Sequence, residues 1–234
     1  MSDGEKHAVT LLSGGMDSAT AMAIAMDMGY RVHALSLDYG QRNMHELQSA
    51  GKVARALGAA SHRVAKVDLG MFGGSALTCG MAVPKDLERS GEGIPVTYVP
   101  ARNTVFLSLA LALAETIDTG DIFIGVNVLD YSGYPDCRPE YIKAYEAMAN
   151  LALKQAVEGR VKVAIHTPLI NMTKAMIVAR GMELGVDFSL TLSCYDPGPE
   201  GVHCGRCAAC GLRQKGFLEA GVDDPSEYFE RLDG

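Results

Sequence analysis

Short, continuous apolar segments alternate with longer segments of helical periodicity through the first three quarters of the chain. Because these apolar segments contain few polar residues, they predict strands that are buried on both faces. Helical crossovers of this length join parallel strands, so the pattern predicts a doubly wound α/β fold with a parallel sheet. The expected strands are 8–12, 32–38, 62–67, 122–126 and 161–165, and the expected helices are 17–28, 43–57, 103–116, 139–157 and 173–184.

Composition bounds the kind of protein that can carry this pattern. Of 234 residues, 48% are hydrophobic and 21% are charged, which is typical of a folded globular chain. The longest apolar run, 105–114, is too short to span a bilayer, and the N-terminus has no signal-peptide pattern. We therefore expect a cytoplasmic protein. The formal net charge of −7, without a basic stripe, disfavours direct nucleic-acid binding.

A glycine-rich turn follows the first predicted strand, where residues 13–18 read Ser-Gly-Gly-Met-Asp-Ser. Its successive backbone N–H groups, its two hydroxyls and the start of the next helix form a cradle for an anion. The segment lacks the lysine of a Walker loop and the G-x-G-x-x-G of a dinucleotide-binding turn. A tight turn accepts Gly-Gly without any ligand, so the residues alone leave phosphate binding and a structural turn equally open.

Four of the six cysteines lie near the C-terminus in the pattern C-x9-C-x2-C-x2-C. In a reducing compartment, clustered cysteines are more often metal ligands than disulfides, and four thiolates suit a closed, structural Zn²⁺ site. An iron–sulfur cluster stays open as a competitor, because C-x2-C-x2-C also occurs in ferredoxins. His203 is an alternative ligand, although an ordinary surface role is expected for it. The four cysteines are Cys194, Cys204, Cys207 and Cys210.

Three polar segments, 38–42, 99–103 and 127–138, follow predicted strands or open a predicted helix. Because parallel strands end at one edge of the sheet, we expect the turns after them to meet in one cleft. Segment 127–138 combines tyrosines, aspartates, an asparagine and an arginine, which would suit a planar, purine-like substrate. An ordinary polar loop is the open alternative. Cys137 is expected to be a small core residue, with a place in the cleft as the second possibility.

Together these motifs resemble the 7-cyano-7-deazaguanine synthase (QueC) family, a queuosine-pathway group of PP-loop ATP pyrophosphatases. The resemblance runs from Val9 to about Tyr228 and rests on SGGMDS, DYGQR, GGSALT, VPARN, GVNVLDYSGYPDCRP, TPLINMTK, ELGVDFSLTLSCYDP and HCGRCAAC. It implies a Rossmann-like, adenine nucleotide alpha hydrolase-like fold with a zinc-binding helical tail. We expect residues 1–186 to form the PP-loop nucleotide-binding domain and residues 187–234 to form a zinc-binding segment packed on it.

The resemblance also implies a reaction. An enzyme of this family is an ATP-dependent C–N ligase that converts 7-carboxy-7-deazaguanine and ammonia to the 7-nitrile through an amide. ATP would be the co-substrate with Mg²⁺, one structural Zn²⁺ would be bound per chain, and a PP-loop predicts AMP and pyrophosphate as products. The expected assembly is a homodimer that handles small molecules, with no nucleic-acid or membrane partner.

Within this reaction we expect roles for individual positions of this chain. Asp17, Arg102 and Lys174 are expected to be catalytic, with Lys174 or Arg102 as the cation beside the phosphate leaving group. Asp17 is expected to be a direct or indirect partner of Mg²⁺, and a helix-start residue favoured by the helix dipole is the open alternative. Arg138 is the candidate for the substrate carboxylate and Asp130 for the guanine edge. The expected ATP-binding residues are Leu12, Ser13, Gly14, Gly15, Met16, Asp17, Ser18, Ala19, Tyr39, Gln41 and Arg42. The expected substrate-binding residues are Arg102, Asn103, Asn127, Asp130, Tyr131, Ser132, Tyr134, Asp136 and Arg138.

Four positions depart from the family pattern. Leu12 replaces a usual Phe, and Asn43 stands where members have His. Ala101 replaces a usual Gly, and Met176 stands where an acidic residue is common. None of these changes removes an expected phosphate or zinc ligand, whereas Ala101 is expected to alter the turn before Arg102.

Two other function classes compete with the ligase. A PP-loop enzyme that modifies tRNA directly would normally show a basic surface or an RNA-binding appendage, and thiolation would need a reactive cysteine pair. A zinc-stabilised ATP sensor would not need the polar segment at 127–138. Both alternatives are therefore less favoured than an enzyme acting on a free deazapurine.

Overall fold

The computed structural model describes residues 4–85, 93–129 and 133–230. Within them, one sheet contains β1 (Lys6–Leu11), β2 (Tyr30–Asp38), β3 (Ser61–Lys66), β4 (Asp121–Phe123) and β5 (Ala164–His166). The α-helices are α1 (Met16–Asp27), α2 (His45–Leu57), α3 (Arg102–Thr116), α4 (Pro139–Ala152), α5 (Lys154–Val157), α6 (Lys174–Glu183) and α7 (Ala208–Ala220). Short 3₁₀ turns connect several of these elements.

All strand pairs of the sheet are parallel, in the order β3-β2-β1-β4-β5. The chain winds outward from β1 in one direction to β3 and then in the other direction to β5. This order confirms the predicted doubly wound parallel sheet. It also creates a switch point between β1 and β4, where ligands bind in sheets of this kind.

Helices cover both faces of the sheet, because side chains of successive strand residues point to opposite faces. On β1, Val9 and Leu11 pack in a core with Leu107 of α3, whereas Ala8 packs in a second core with Met22 of α1. Such two-sided burial explains why β1 and β2 are largely apolar, whereas the edge strand β3 has exposed positions at Arg63, Val64 and Lys66. None of the helices in the described ranges is long and apolar enough to cross a membrane.

The predicted helix over 139–157 is two helices, because Leu153 has extended backbone angles (φ −77°, ψ 135°). The break places Gln155 against the end of α3. Its Nε2 donates to the backbone oxygen of Glu115 at 2.8 Å and to Asp118 Oδ1 at 2.7 Å. The backbone oxygens at the end of α3 lack partners within the helix, and Gln155 supplies one. This tertiary hydrogen bond therefore overrides the helical periodicity of 139–157.

Helix α2 begins at His45, two residues later than the pattern predicts. The side chain of Asn43 accounts for the delay, because its Oδ1 accepts a hydrogen bond from the His45 N–H at 2.9 Å. Its Nδ2 donates to the backbone oxygen of Cys194 at 3.4 Å. The unusual residue at position 43 thus ties the start of α2 to the C-terminal segment.

A buried arginine ties separate parts of the C-terminal segment to one another. Arg213 of α7 is fully buried, and its Nε lies 2.9 Å from Asp224 Oδ2. It also donates to Thr191 Oγ1 at 2.7 Å and to the backbone oxygen of Phe188 at 3.0 Å. Helix α7 also packs closely on α6 at Gly216, where a Cβ would come within 2.6 Å of the Lys174 Cβ. A boundary between residues 186 and 187 stays a proposal.

We predict that Asp224→Asn lowers the free energy of unfolding at pH 7 by about 3–5 kcal/mol, because it leaves the Arg213 charge buried without its partner. Burial alone would raise the pKa of Asp224, but hydrogen bonds and charge from Arg213 hold that pKa below its ordinary value. The pair therefore stabilises the fold above the unfolded-state pKa and stops doing so as pH falls through the folded-state pKa. Urea unfolding at several pH values measures both effects.

Glu219→Gln is the matched control for this prediction, because its pair with Lys215 at 3.7 Å is exposed on the same helix. We expect a change below about 0.5 kcal/mol in the control. Equal stability of wild type and Asp224→Asn at pH 7 would contradict the assignment.

Ala101 precedes α3 in the left-handed region, at φ 55° and ψ 22°. This conformation strains a residue with a Cβ, so we predict that Ala101→Gly raises the free energy of unfolding by about 1 kcal/mol. Ala112→Gly, at an exposed position inside the same helix, should lower it by a similar amount. Urea unfolding of both variants checks the opposite signs, and a loss of stability in Ala101→Gly would refute the strain.

Candidate active site

A cavity of about 300 Å³ lies at the carboxyl ends of β1, β2 and β4, next to the switch point. Its floor contains apolar residues of these strands and the residues that follow them, among them Leu11, Leu37 and Ile124. The rest of its wall comes from the turn after β1, the starts of α2, α3 and α6, and the C-terminal segment. The predicted convergence of the strand ends on one cleft is thus confirmed.

The turn at 13–18 is ordered by its own hydroxyl groups. Ser18 Oγ accepts from the Ser13 N–H at 3.1 Å and donates to the backbone oxygen of Gly15 at 3.0 Å. Helix α1 follows directly, and its first intrahelical bond runs from the Ala19 N–H to the Gly15 oxygen. The N–H groups at 16–18 therefore have no acceptor within the helix, which makes this end of α1 attractive to an anion.

Asp17 and Lys174 form an ion pair at the edge of this turn. Lys174 Nζ, on the first residue of α6, lies 2.5 Å from Asp17 Oδ2. The other oxygen, Asp17 Oδ1, is buried and has no hydrogen-bond partner among the described residues. A buried carboxylate oxygen with free lone pairs is the kind of atom that binds a hard divalent cation, so Asp17 fits a Mg²⁺ ligand.

Aromatic side chains form another part of the cavity wall, around the start of α3. The Arg102 guanidinium lies 6.0 Å from the Phe106 ring centre and 5.9 Å from the Tyr134 ring centre. Tyr39 and Tyr195 complete this wall, and burial raises the pKa of both phenols. They are therefore neutral at physiological pH. This part of the cavity wall offers flat apolar surfaces with one permanent positive charge.

Three amide side chains in the cavity wall fix the backbone around it. Gln41 Oε1 accepts from the Tyr39 N–H at 2.8 Å, and Asn127 Nδ2 donates to the backbone oxygens of Leu169 and Met172. Asn103 Nδ2 donates to the backbone oxygen of Asp136 at 3.1 Å.

The structure brings most of the predicted small-molecule site residues together in this cavity. Those that line it are Leu12, Ser13, Gly15, Met16, Asp17, Ser18, Tyr39, Gln41, Arg102, Asn103, Asn127, Tyr134 and Lys174. Cys137, for which the cleft was the second possibility, also lines it. Predicted residues outside the lining are Gly14, Ala19, Arg42, Asp136 and Arg138. Asp130, Tyr131 and Ser132 lie outside the described residues.

The residues outside the lining have other surroundings. Ala19 is buried inside α1, and Asp136 Oδ2 accepts from the Asn103 N–H at 3.0 Å. Arg42 is exposed, and its Nη1 donates to the backbone oxygen of Met81 at 2.9 Å. Arg138 is exposed just before α4, so its proposed contact with a substrate carboxylate has no geometric support.

Gly14 serves the packing of α2. It has φ +90°, and a Cβ there would come within 2.3 Å of the Glu46 backbone oxygen and 2.7 Å of the Ala50 nitrogen. Only glycine combines this conformation with such a close approach. Its backbone oxygen also accepts from the Leu192 N–H at 2.9 Å, so three segments meet at this residue.

Sequence reasoning missed several residues of the cavity wall. Glu46, the second residue of α2, looks like an ordinary acidic residue of a first helical turn. Burial raises the pKa of its carboxyl to about 7, against the lowering effect of the Arg102 charge. Ser193 and Tyr195 flank a predicted metal ligand and lie in the family-like segment ELGVDFSLTLSCYDP, and these were the signals for them. Other lining residues that were not predicted include Leu47, Leu77, Thr97, Phe106, Leu192, Ala208, Ala209, Leu212 and Arg213.

The four clustered cysteines converge next to the cavity, with their sulfur atoms within 4.8 Å of one another. The Sγ atoms of Cys194 and Cys207 are 3.9 Å apart, as are those of Cys204 and Cys210. Tetrahedral Zn–S bonds of about 2.3 Å would place sulfurs about 3.8 Å apart, so the donor set fits a single metal ion. A multi-iron cluster would separate its ligand sulfurs further.

His203 was expected at the surface, but it is buried. Its Nε2 accepts from the Ser193 N–H at 3.2 Å, and its ring packs on Tyr228 at 5.1 Å. Its side chain therefore serves the packing of the C-terminal segment and is not part of the metal-binding group.

Comparisons with known proteins identify the family of this chain. A family model described as "Queuosine biosynthesis protein QueC" matches residues 7–221. A 7-cyano-7-deazaguanine synthase of Desulfatibacillum aliphaticivorans is 63% identical over 229 residues, covering 96% of this chain and 97% of that protein. One of Methylobacillus flagellatus is 63% identical over 224 residues, covering 95% and 96%. The structure of NMN synthetase from Francisella tularensis is similar with a TM-score of 0.49 and 17% identity, covering 94% of this chain and 79% of that one.

The family model spans most of the chain. Both relatives match the chain over nearly their full length. The chain therefore belongs to the QueC family of queuosine biosynthesis proteins.

Proposed function

We propose that this chain is an ATP-dependent ligase that converts 7-carboxy-7-deazaguanine and ammonia to 7-cyano-7-deazaguanine. The observation that carries the proposal is one cavity lined both by a helix start with free N–H groups and by aromatic side chains around Arg102. The first feature suits the phosphates of ATP, and the second suits a flat, carboxylate-bearing purine analogue. The names of the relatives support the same product.

The chemistry needs two activations at one carbon. A carboxylate is a poor electrophile, so ATP first converts its oxygen into a leaving group, and ammonia displaces AMP to give the amide. The amide oxygen is then activated in the same way, and its loss leaves the nitrile. A single cavity that binds both ATP and the acid would serve both the amide-forming and the nitrile-forming steps.

We assign the phosphates to the turn at 13–18 and to Lys174. The N–H groups at the start of α1 and the Ser13 hydroxyl would hold the pyrophosphate group. Lys174, fixed by Asp17 at 2.5 Å, would neutralise charge as pyrophosphate leaves. Arg102, which lies among the aromatic rings, would bind the substrate carboxylate in place of Arg138.

Mg²⁺ and Zn²⁺ have different places in this proposal. Asp17, with its unpartnered Oδ1, would hold Mg²⁺, which neutralises phosphate charge when it is bound with ATP. The four cysteines would hold one Zn²⁺ per chain, and with all positions filled by sulfur the site would be structural. Its role would be to order the segment that carries Ser193 and Tyr195.

The competing PP-loop enzyme that acts on tRNA has less support. Burial raises the pKa of the Cys137 thiol to about 11, so this cavity-lining cysteine is not a thiolate nucleophile at neutral pH. The formal charge of −7 offers little attraction for RNA. A cytoplasmic homodimer acting on free small molecules remains the proposed setting.

We predict that the purified protein, given ATP, Mg²⁺, ammonium and 7-carboxy-7-deazaguanine, forms the nitrile and AMP, detected by mass spectrometry. Lys174→Ala should lower kcat by about 10²–10³-fold, because it removes a charge that stabilises the leaving group. Arg102→Ala should mainly raise the KM for the acid. Absence of acid-dependent ATP turnover in the wild type would refute the function.

Exposed Lys215→Ala is the matched control for the cation assignments, because this lysine is exposed on α7 and does not line the cavity. We expect wild-type kinetics for it. Unchanged turnover in both Lys174→Ala and Arg102→Ala would refute these assignments and leave the overall reaction standing.

For the cysteine cluster, we predict about one zinc per chain by elemental analysis, and loss of that zinc in Cys204→Ser. The variant should also have a lower melting temperature, because the metal stabilises the folded C-terminal segment. Cys79→Ser, outside the cluster, should keep its zinc and is the control. Iron and acid-labile sulfide in the protein would instead establish an iron–sulfur cluster.

A further inference from the structure

The proposed reaction has a proton requirement that Asp17, Lys174 and Arg102 do not meet. Ammonia brings three N–H protons, and the nitrile nitrogen keeps none. One proton leaves when the C–N bond forms and AMP departs from the acyl group. Two more leave the nitrogen after the amide oxygen is activated, as the second C–O bond breaks and the C≡N bond is completed. A base near the reacting carbon is therefore needed in both halves of the reaction.

We infer that Glu46 is this general base, an inference that rests on the function proposed above. Its side chain lines the cavity, and its backbone oxygen packs against Gly14 of the phosphate-binding turn. Its carboxyl group is also close enough to Arg102 and Tyr39 for their charges to interact. Glu46 therefore neighbours both the expected phosphate half and the expected purine half, where the activated carbon must lie.

The Glu46 carboxylate is also free to take a proton. Among the described residues, no hydrogen bond to it is found, and no cation lies within ion-pair distance of it. By contrast, the Asp17 carboxylate in the same cavity is held by Lys174 at 2.5 Å. A structural carboxylate would be expected to have such a partner. Of these two cavity carboxylates, Glu46 is the one available for proton transfer.

The electrostatic surroundings suit this role. Burial raises the pKa of the Glu46 carboxyl to about 7, while the Arg102 charge opposes that rise. A base with such a pKa is ionised in a useful fraction at neutral pH and strong enough to accept a proton. The other titratable groups that line the cavity are Asp17 of α1, Tyr39 after β2, Arg102 of α3, Tyr134, Cys137, Lys174 of α6, Tyr195 and Arg213 of α7.

The test uses Glu46→Gln in the full-length protein with its metal, and measures the two activities separately. Acid-dependent exchange of pyrophosphate into ATP reports on activation of the carboxylate, which needs no base at nitrogen. We expect this exchange to stay within about threefold of wild type. Conversion of the 7-carboxamide to the nitrile with ATP and Mg²⁺ should fall by about 10²–10⁴-fold, the usual contribution of a general base.

The pH dependence provides a second readout. In the wild type, kcat for amide conversion should rise with pH through an apparent pKa near 7, because the base acts when it is ionised. This rise of kcat with pH should be absent from the residual activity of Glu46→Gln. Formate should partly restore nitrile formation to Glu46→Ala, because a small carboxylate can enter the space that the truncated side chain leaves.

Stability gives a readout that does not depend on activity. Since the folded-state pKa of Glu46 is raised, ionisation costs stability as pH rises towards and past about 7. Glu46→Gln should therefore melt at a higher temperature than wild type at pH 8, and the difference should shrink at pH 5. This result would also show that the variant folds.

Glu140→Gln is the matched control, because Glu140 is the exposed second residue of α4, as Glu46 is the second residue of α2. It should behave as wild type in every assay. Amide conversion reduced less than tenfold in Glu46→Gln would overturn the inference. Equal loss in both activities with a raised KM for the acid would also overturn it, and would assign Glu46 to substrate recognition. A wild type that forms no nitrile would refute the proposed function itself.

Discussion

The close backbone packing at Gly14 is the constraint on which the site depends. At this residue the turn after β1 contacts the backbone of α2, and its oxygen holds the Leu192 N–H at 2.9 Å. The turn at 13–18, the start of α2 and the C-terminal segment therefore meet at one residue without a side chain. The glycine that looks like a phosphate contact in the sequence serves mainly to bring the walls of the cavity together.

The C-terminal segment is part of the cavity as well as a cover for the sheet. Ser193 and Tyr195, on either side of Cys194, line the cavity, as does the fully buried Arg213 of α7. The ion pair of Arg213 with Asp224 and the cysteine cluster stabilise the same short stretch from two sides. Because Cys194 and Tyr195 are neighbours in the chain, the position of the cysteine cluster constrains the position of the Tyr195 ring in the cavity wall.

Much of the fold could be predicted because it follows from local patterns. Continuous apolar runs identify strands that are buried on both faces, and the order of strands and helices requires a parallel sheet. The errors come from tertiary hydrogen bonds that no periodicity records. The predicted helix over 139–157 is interrupted where Gln155 hydrogen-bonds to the end of α3. Helix α2 begins later than predicted because the Asn43 side chain accepts a hydrogen bond from the N–H of His45.

The parts of the candidate site that lie in sequence motifs could be predicted. The parts that are brought together only by the fold could not. The turn at 13–18 and the four cysteines stand out by composition and spacing. Glu46 does not, because the Arg102 charge near it and much of the cavity wall come from α3 and the C-terminal segment, which are distant in sequence. Exposed Arg138 and cavity-lining Arg102 are likewise indistinguishable until α3 and α4 are placed.

The contact between α6 and α7 has a consequence for how the family can vary. Because Gly216 lies against Lys174, a larger residue at 216 would push α6 outward and carry the Lys174 ammonium away from Asp17. The residues at positions 174 and 216 therefore together determine how far the positive charge extends from α6 towards Asp17 in the turn after β1. A homologue with a side chain at 216 would need a compensating shift of α6, or a longer cation such as arginine at 174, to keep the same charge at the same place.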